Sequence, residues 1–173
     1  MTEQLRAEEF DRVYGILEKS FPETERRSYE GQKKLLQDPR YRIYVRKEGK
    51  EILAFLALWD LGDWMFAEHL AVSPDHRNGG LGGRFLREMM ERAGGRMCLE
   101  VELPDTETAK RRIGFYERNG FFLNRYPYEQ PPLSKGADRI PMYVMTAGRP
   151  VGEEEFESLR RLVYASVYRN GEW

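Results

Sequence analysis

The chain contains 173 residues, 28 of them Lys or Arg and 29 Asp or Glu, so that its formal net charge is −1. Domains average about 100 to 200 residues, which predicts a single domain, and the balanced charge argues against nucleic acid or an anionic membrane as a partner. The single cysteine, Cys98, excludes an internal disulfide and a multi-cysteine metal site.

The sequence contains no candidate membrane span. Its longest unbroken apolar run is eight residues, Ile52 to Trp59, whereas a membrane-spanning helix needs about 20. The N-terminus lacks the basic start and the apolar stretch of a signal peptide. We therefore expect a cytoplasmic protein in a reducing compartment, with no bound metal, no membrane and no nucleic-acid partner.

Two helices are predicted at the start of the chain. Apolar residues recur at three- and four-residue spacing from Glu8 to Phe21, and Pro22 ends the pattern. Thr24 suits the N-cap of a second, largely polar helix that extends to Asp38 and is expected on the surface.

The rest of the chain predicts a sheet with helices packed on it. Strand-like runs separated by glycine-containing turns cover residues 41–46, 51–60 and 64–72, and they predict three antiparallel strands in a meander. The later predicted elements are a helix over 80–93, a strand over 96–103, a helix that Asp105 caps and that ends at Asn119, an apolar stretch over 121–123, a loop over 127–136, a strand over 139–146 and a closing helix over 153–168. The crossover from residue 64 through 103 should pair two strands in parallel, which defines an α/β (α+β) fold.

The segment LAVSPDHRNGGLGGRFL, residues 70–86, joins a strand to a helix through a glycine-rich loop. Glycines let the backbone approach an anion closely, and the free N–H groups and dipole of a helix N-terminus attract negative charge. A nucleotide P-loop is excluded because no Lys-Ser or Lys-Thr pair follows the glycines. The dinucleotide fingerprint is excluded because Phe85 stands where glycine is required. The pattern that remains is Arg-x-x-Gly-x-Gly, formed by Arg77, Gly80 and Gly82.

This loop resembles the coenzyme A pyrophosphate loop of the GNAT superfamily of acetyl-CoA-dependent N-acetyltransferases. A second segment, RIGFYERNGF over residues 112–121, resembles the later motif of the same family, a helix bearing Phe-Tyr shortly before Gly-Phe. The resemblance extends over residues 8–147 and implies a mixed, mostly antiparallel sheet with a splayed parallel strand pair, flanked by helices. It also implies that the cofactor is acetyl-CoA (coenzyme A).

The resemblance further implies where the cofactor binds. Pantetheine would pair with exposed backbone between the splayed strands, and the pyrophosphate would bind at the glycine loop. The candidate cofactor-binding residues are Leu70, Ala71, Val72, Arg77, Asn78, Gly79, Gly80, Leu81, Gly82, Gly83, Arg112 and Phe115.

The chain departs from the family pattern at three places. The usual first strand is reduced to about residues 2–6, the segment 104–110 is longer than in many relatives, and the closing helix is not a core family element. We therefore expect one acetyltransferase domain over residues 1–148 and a C-terminal helical extension over 149–173. The extension would pack on this domain or on a partner, and the choice between monomer and homodimer stays open.

Four residues are candidates for acid-base catalysis. The resemblance makes Tyr116 the general acid that protonates the departing thiolate, although its position also suits a core aromatic on a helix face. Glu68, Glu100 and Glu102 are candidate bases in that order, directly or through water, and each also suits a solvated strand residue. Strand alternation places Glu100 and Glu102 on one face.

Alternation also predicts the surroundings of Glu68. It places Glu68 on the face of Phe66, Leu70 and Val72, where an unpaired charge would be unfavourable unless it is functional or bridged. His69 is then expected on the opposite face, where it is a strand residue rather than a base.

The acceptor pocket of the family usually involves the first two helices, the loop between them and late strands. The corresponding parts of this sequence are residues 21–29, Trp59, Trp64 and residues 126–143. Their aromatic rings and carboxylates suit a cationic amine, whereas Arg26 and Arg27 could equally hold a substrate carboxylate.

The leading functional hypothesis is an enzyme that moves an acetyl group from acetyl-CoA to a primary amine of a small molecule or peptide. Direct transfer in a ternary complex is expected, because no histidine motif activates Cys98 as an acyl-carrying nucleophile. The alternatives are a catalytically degenerate module that senses acyl-CoA, and an enzyme with a longer acyl donor or a hydroxyl acceptor.

Overall fold

The structure is a computed structural model that describes residues 1–133 and 136–169. Its strands are β1 (Thr2–Gln4), β2 (Tyr41–Glu48), β3 (Glu51–Asp60), β4 (Met65–Val72), β5 (Met97–Glu102), β6 (Phe121–Gln130) and β7 (Ile140–Ala147). Its helices are α1 (Phe10–Ser20), α2 (Tyr29–Lys34), α3 (Leu81–Arg92), α4 (Glu107–Arg118) and α5 (Glu153–Ser166). Residues 134–135 of the predicted loop and 170–173 of the predicted extension lie outside the described residues.

The seven strands form one sheet in the order β1-β2-β3-β4-β5-β7-β6. Every neighbouring pair is antiparallel except β4 and β5, which are parallel. The predicted fold class, a mixed and mostly antiparallel sheet with flanking helices and a C-terminal helix, is confirmed. The reduced first strand is present as the three residues of β1, which pair with β2.

The parallel pair separates along its length, as predicted. The β4–β5 ladder joins Met65–Ala67 to Met97–Leu99. Beyond this ladder β4 continues to Val72, while β5 pairs with β7 on its other edge. The two strands therefore diverge towards their C-terminal ends, and a gap opens between them. Backbone N–H and C=O groups that face such a gap need a ligand or water as a partner.

Two apolar clusters cover the two faces of the sheet. α1 and α5 pack on one face, and α3 and α4 pack on the other. β3 is buried on both faces, with Phe55 and Trp59 in the first cluster and Leu56 and Leu58 in the second. This double burial explains the long unbroken apolar run in the sequence.

Two predicted helix starts are wrong. α2 is capped by Ser28, whose Oγ accepts a hydrogen bond of 3.2 Å from the backbone N–H three residues later, and Thr24 lies in a separate 3-10 turn. The helix is also not purely a surface element, because Gln32 is buried. α4 is capped by Thr106 rather than Asp105, since the Thr106 hydroxyl accepts a 3.1 Å hydrogen bond from the N–H of the first helical turn.

The loop predicted from residue 127 begins later, because β6 continues to Gln130. The pairing with β7 shifts register between Asn124 and Tyr128, so Pro127 lies at an irregularity where it does not interrupt the ladder.

The C-terminal helix packs against the same chain. The Tyr126 ring of β6 lies 4.8 Å from the Phe156 ring of α5, measured between centroids. Val167 and Tyr168, just beyond α5, are 1% exposed. Among the described helices, none is both long and apolar enough to cross a membrane.

Candidate active site

The glycine loop before α3 has the backbone geometry of an anion site. Gly80 and Asn78 have positive φ angles of 69° and 68°, so the chain turns sharply into the helix. Gly80 is the N-cap, and no side chain in the described chain caps the helix. The N–H groups of the first turn of a helix have no carbonyl partner within it, so here they are available to a ligand.

Tight packing explains two further glycines. A Cβ on Gly82 would lie 3.2 Å from Cγ2 of Val72, and a Cβ on Gly83 would lie 3.0 Å from Oδ1 of Asn119. α3 therefore sits close to the end of β4 and to α4. The Arg77 side chain holds the loop against β4 and α1: it donates hydrogen bonds to the Val72 carbonyl at 3.1 Å and to the Ser20 hydroxyl at 3.2 Å.

A cleft of about 510 Å³ lies beside this loop and is called the loop cleft below. It brings together the predicted cofactor-binding residues except Gly79, namely Leu70, Ala71, Val72, Arg77, Asn78, Gly80, Leu81, Gly82, Gly83, Arg112 and Phe115. Sequence reasoning did not assign Ser20, Phe21, His76, Thr108 and Arg111 to this cleft, although they also line it. Of these five residues, only Arg111 could have been predicted from the sequence, because it adds a second positive charge directly before Arg112.

A smaller cavity of about 50 Å³ continues the gap between β4 and β5 and is called the carboxylate pocket. It shares Phe21 and Arg112 with the loop cleft. The pocket is lined by Phe21, Glu25, Glu68, His69, Glu100, Glu102, Arg112, Gln130, Leu133, Met142 and Tyr168. The structure thus brings the three predicted carboxylates together and adds Glu25 to them.

A β-bulge determines which way Glu68 points. Ala57 of β3 pairs with His69, and Leu58 pairs with Ala67, so Glu68 is the extra residue. A bulge interrupts the alternation of side chains, and both Glu68 and His69 line the carboxylate pocket.

The predicted orientation of these two residues is therefore wrong. Glu68 does not share a face with Leu70 and Val72, which pack in the cluster under α3 and α4. His69 is not on the opposite face from Glu68, since its ring packs 4.7 Å from that of Phe21.

Glu68 is bridged by a buried arginine. Its Oε1 lies 2.6 Å from an Arg27 nitrogen, and both side chains are 4% exposed. Arg27 also donates a hydrogen bond of 3.2 Å to the Val167 carbonyl. Burial is the largest influence on Glu68 and raises its pKa, but the Arg27 charge, the neighbouring His69 and hydrogen bonding from Arg27 and Trp59 together outweigh it, so the pKa is lowered and Glu68 stays ionised.

Glu100 has a different environment. Its two oxygens accept hydrogen bonds from the hydroxyls of Tyr128 and Tyr168. Burial raises its pKa to about 7, although both hydrogen bonds lower it. Glu100 therefore titrates near neutral pH, unlike Glu68.

Glu102 and Glu25 meet on the side of the pocket next to the loop cleft. Burial, and then the hydrogen bond and charge of Glu102, raise the pKa of Glu25 to about 7. Arg112 lies 3.6 Å from Glu102 and opposes this shift. Arg112, one of the two residues shared by the cavities, is thus a cation beside a pair of carboxyl groups.

Tyr116 does not lie with these groups. Its ring packs against Phe115 and Phe121 at 5.2 and 5.6 Å, in the cluster under α3 and α4. It lines neither the loop cleft nor the carboxylate pocket within the described chain. Burial raises its pKa to about 12, and Phe115 takes the position facing the cleft.

Several other predicted positions are also away from the pocket. Neither Trp59 nor Trp64 lines the carboxylate pocket within the described chain: Trp64 lies beneath the Arg96 guanidinium, whereas the Trp59 indole interacts with Glu68 and helps to lower its pKa. The late-strand region contributes Gln130, Leu133 and Met142. Cys98 is fully buried and its thiol pKa is raised by burial, so it is a core residue.

Comparisons with known proteins agree with this geometry. A model of the acetyltransferase (GNAT) family matches residues 10–121. A solved structure from Bacteroides thetaiotaomicron, named as an acetyltransferase from the GNAT family, is 32% identical and covers 97% of this chain and 98% of its own, with a TM-score of 0.88. YjbC of Bacillus subtilis (strain 168), an acetyltransferase by name, is 28% identical over 166 residues, 92% of this chain and 84% of YjbC.

The chain belongs to the GNAT family of acetyltransferases. More distant structures share the fold alone. The ribosomal-protein-S18-alanine N-acetyltransferase of Escherichia coli is 21% identical and covers 88% of this chain and 96% of its own, with a TM-score of 0.64. A spermidine N-acetyltransferase SpeG chimera from Vibrio cholerae and hSSAT is 12% identical and covers 85% and 94%, with the same TM-score of 0.64.

Proposed function

We propose that the protein transfers an acetyl group from acetyl-CoA to a primary amine by direct attack in a ternary complex. The observation that carries this proposal is the meeting of two cavities at Phe21 and Arg112, where β4 and β5 diverge. One cavity has an anion-binding loop, and the other has carboxylates. A thioester placed along the first would present its carbonyl to an amine held in the second.

The loop cleft fits coenzyme A in its chemistry. The uncapped N-terminus of α3 suits the pyrophosphate, and Arg77, Arg111 and Arg112 add positive charge around it. The edge of β4 beyond Ala67 suits the amide groups of pantetheine, because β5 has separated from it there. Acetyl-CoA supplies the acetyl group in activated form, as a thioester.

The carboxylate pocket suits the deprotonation of an amine. Glu100 is the preferred base, because a pKa of about 7 matches proton acceptance near neutral pH. This changes the order expected from the sequence, since the Arg27 charge makes Glu68 a weaker base. Glu68 and Glu102 then attract the ammonium form of the acceptor, Glu100 accepts one proton from it, and the neutral amine attacks the carbonyl carbon. The tetrahedral intermediate then breaks its C–S bond, and the second proton lost by nitrogen balances the proton that the departing thiolate takes up.

Protonation of the departing thiolate is assigned to Tyr116 on the family resemblance alone. A Tyr116 ring packed between Phe115 and Phe121 has to turn towards the cleft to reach the sulfur. An acyl-CoA sensor would need the loop cleft but no base. The buried Glu100 carboxyl group, with a pKa of about 7 in the adjoining carboxylate pocket, favours catalysis.

Release of coenzyme A thiol from acetyl-CoA, measured with a panel of primary amines and with mass spectrometry of the products, tests this proposal. We expect amine-dependent release, with kcat/KM reduced about 100-fold or more in Glu100→Gln. Glu117→Gln, an exposed change on α4, is the matched control and should leave the rate unchanged. Binding of acetyl-CoA without transfer to any amine of the panel would contradict catalysis and support the sensor alternative.

A further inference from the structure

Two buried hydrogen-bond acceptors in the carboxylate pocket accept no hydrogen bond of normal geometry within the described chain. Oε2 of Glu68 and Nδ1 of His69 lie 3.7 Å apart, on side chains that are 4% and 3% exposed. The Trp59 indole N–H interacts with Glu68 and helps to lower its pKa, but it too makes no hydrogen bond of normal geometry in the described part of the chain. Buried polar atoms of native proteins are nearly always paired, so this pair of atoms points to a ligand that donates hydrogen bonds.

The tautomer of His69 follows from its other nitrogen. Nε2 lies 2.8 Å from the Glu25 carbonyl oxygen, and a carbonyl only accepts, so Nε2 carries the hydrogen. Burial lowers the pKa of His69, which keeps the imidazole neutral. Nδ1 then carries a lone pair and can only accept a hydrogen bond. The Glu68 carboxylate also only accepts, so the two groups cannot bond to each other. A group with at least two N–H donors between the two atoms would satisfy both, at about 2.9 Å from each.

The charges around these atoms favour a cation over a zwitterion. Four carboxyl groups line the pocket, at Glu25, Glu68, Glu100 and Glu102. The facing guanidiniums are Arg27, which is bound to Glu68 and the Val167 carbonyl, and Arg112, which lies beside Glu102.

Arg26, the other half of the arginine pair in the sequence, is directed away from the pocket. It donates to the Tyr14 hydroxyl at 3.1 Å and lies 3.6 Å from Glu18. Arg27 is thus paired with Glu68 and Arg26 with Tyr14 and Glu18, so the alternative left open by the sequence, a substrate carboxylate held by both arginines, loses its support.

We infer that the acceptor is an unbranched primary amine whose nitrogen binds between Glu68 Oε2 and His69 Nδ1, and that a carboxylate on the adjacent carbon excludes a substrate. This inference rests on the proposed function and narrows its acceptor. The volume of about 50 Å³ admits an aminomethyl end and little else. His69 becomes an acceptor-binding residue, a role that the sequence did not suggest because alternation placed it on the other face.

A metal ion is a poor alternative occupant. In residues 1–133 and 136–169, no group of three or more His, Cys, Asp or Glu is arranged to hold one. An ordered water could also donate to both atoms, so the experiment must distinguish a water-filled pocket from an amine site.

Nitrogen-15 NMR of the histidine rings tests the inference directly, because the chain contains only two histidines, His69 and His76. His69→Gln and His76→Gln assign the two sets of ring signals. The protein is titrated with n-butylamine, present as its ammonium ion, and with norvaline, which is the same molecule carrying a carboxylate beside the nitrogen. Each titration is run with and without coenzyme A.

We expect a saturable shift of Nδ1 of His69 with n-butylamine, and binding of norvaline that is weaker by roughly tenfold or more. A shift confined to His76, no shift with n-butylamine, or equal affinity for norvaline would overturn the inference. The absence of any shift with n-butylamine is the result expected for a pocket that holds water only. Calorimetry of the same samples with coenzyme A separates the two proposals. If the wild type does not bind coenzyme A, the proposed function fails. The amine titration without coenzyme A tests the carboxylate pocket independently of that result.

Discussion

The Tyr168 hydroxyl donates a hydrogen bond of 2.6 Å to Oε2 of Glu100, across 68 positions of the sequence. The Tyr128 hydroxyl donates to the other oxygen of the same carboxyl group. Both tyrosines are buried, at 1% and 5% exposure, so they hold Glu100 in one orientation. Because Tyr168 follows α5, the C-terminal extension contributes directly to the candidate active site.

Tyr168→Phe should alter the pH dependence of catalysis. The hydrogen bond from Tyr168 lowers the pKa of Glu100, so its removal should raise that pKa from about 7. A base must be unprotonated to act, and the acid limb of the kcat/KM profile should therefore move to higher pH, by about one unit. The measurement is the pH profile of thiol release for the variant and the wild type.

Tyr164→Phe on α5 is the matched control. Its hydroxyl donates to the Glu129 carbonyl at 2.5 Å rather than to Glu100. The control should keep the wild-type profile. An unchanged profile in Tyr168→Phe, with full turnover, would remove Glu100 from the role of base.

Arg27→Met should strongly destabilise the fold. It leaves the Glu68 carboxylate buried without its ion partner, which typically costs about 3 to 5 kcal/mol. The double variant Arg27→Met/Glu68→Leu removes both charges and should recover most of this loss. Urea denaturation measures all three proteins. A single variant as stable as the wild type would show that the pair contributes nothing.

The same pair predicts a pH effect with a defined sign. The folded-state pKa of Glu68 is lowered, so its contribution to stability is present above its unfolded pKa and lost as pH falls through the folded value. The difference in stability between the wild type and Arg27→Met should therefore narrow at acidic pH. A difference that stays constant down to the acid transition would contradict this pairing.

Glu100→Gln should remove a pH dependence of the folding stability whose sign is opposite to that caused by Glu68. The pKa of Glu100 is about 7 in the folded protein, against about 4.3 for an unperturbed Glu. The folded state then binds the proton more tightly, so this group stabilises at low pH and loses that contribution as pH rises through the range between these values.

The variant should therefore gain stability relative to the wild type on going from pH 5 to pH 8, by about 2 to 3 kcal/mol. Urea denaturation at the two pH values gives the number. A parallel pH dependence in both proteins would mean that Glu100 titrates normally.

Ser28→Ala and Thr24→Ala distinguish the two candidate caps of α2. The Ser28 hydroxyl accepts a hydrogen bond from the first turn, and loss of such a cap costs about 1 kcal/mol. Thr24 is exposed and lies outside the helix, so its replacement should change stability by less than about 0.5 kcal/mol. Equal effects of the two changes on the free energy of unfolding would contradict this assignment.

Local sequence was sufficient to predict the loop cleft. The glycine loop, the strand before it and the helix after it are adjacent in the chain, and their residue types carry the chemistry without help from distant parts. The predicted cofactor residues of segment 70–83 therefore lie together, apart from Gly79. Arg112 and Phe115 on α4 were assigned from the family resemblance, and packing of α3 against Phe115 brings them to the cleft. The splay of β4 and β5 followed from the family resemblance.

The carboxylate pocket depended on contacts that no local pattern contains. Glu68 is the extra residue of a bulge that is defined by pairing with β3, so alternation within β4 predicted the wrong face for its neighbour His69. The Arg27 partner of Glu68 lies 41 positions away. The sequence also gave no reason to bring Tyr168 to Glu100, because nothing in the pattern of α5 indicates which part of the sheet it covers.

A calorimetric titration with acetyl-CoA tests the central claim most directly. Wild type is compared with Gly82→Asp, which places a negative charge where the pyrophosphate is proposed to bind, and with Gly79→Ala, whose added Cβ would meet no atom within 4 Å. We predict saturable binding by the wild type and by Gly79→Ala, and loss of binding by roughly 100-fold or more in Gly82→Asp. Absence of binding to the folded wild type, or equal binding by all three proteins, would contradict the placement of acetyl-CoA in the loop cleft.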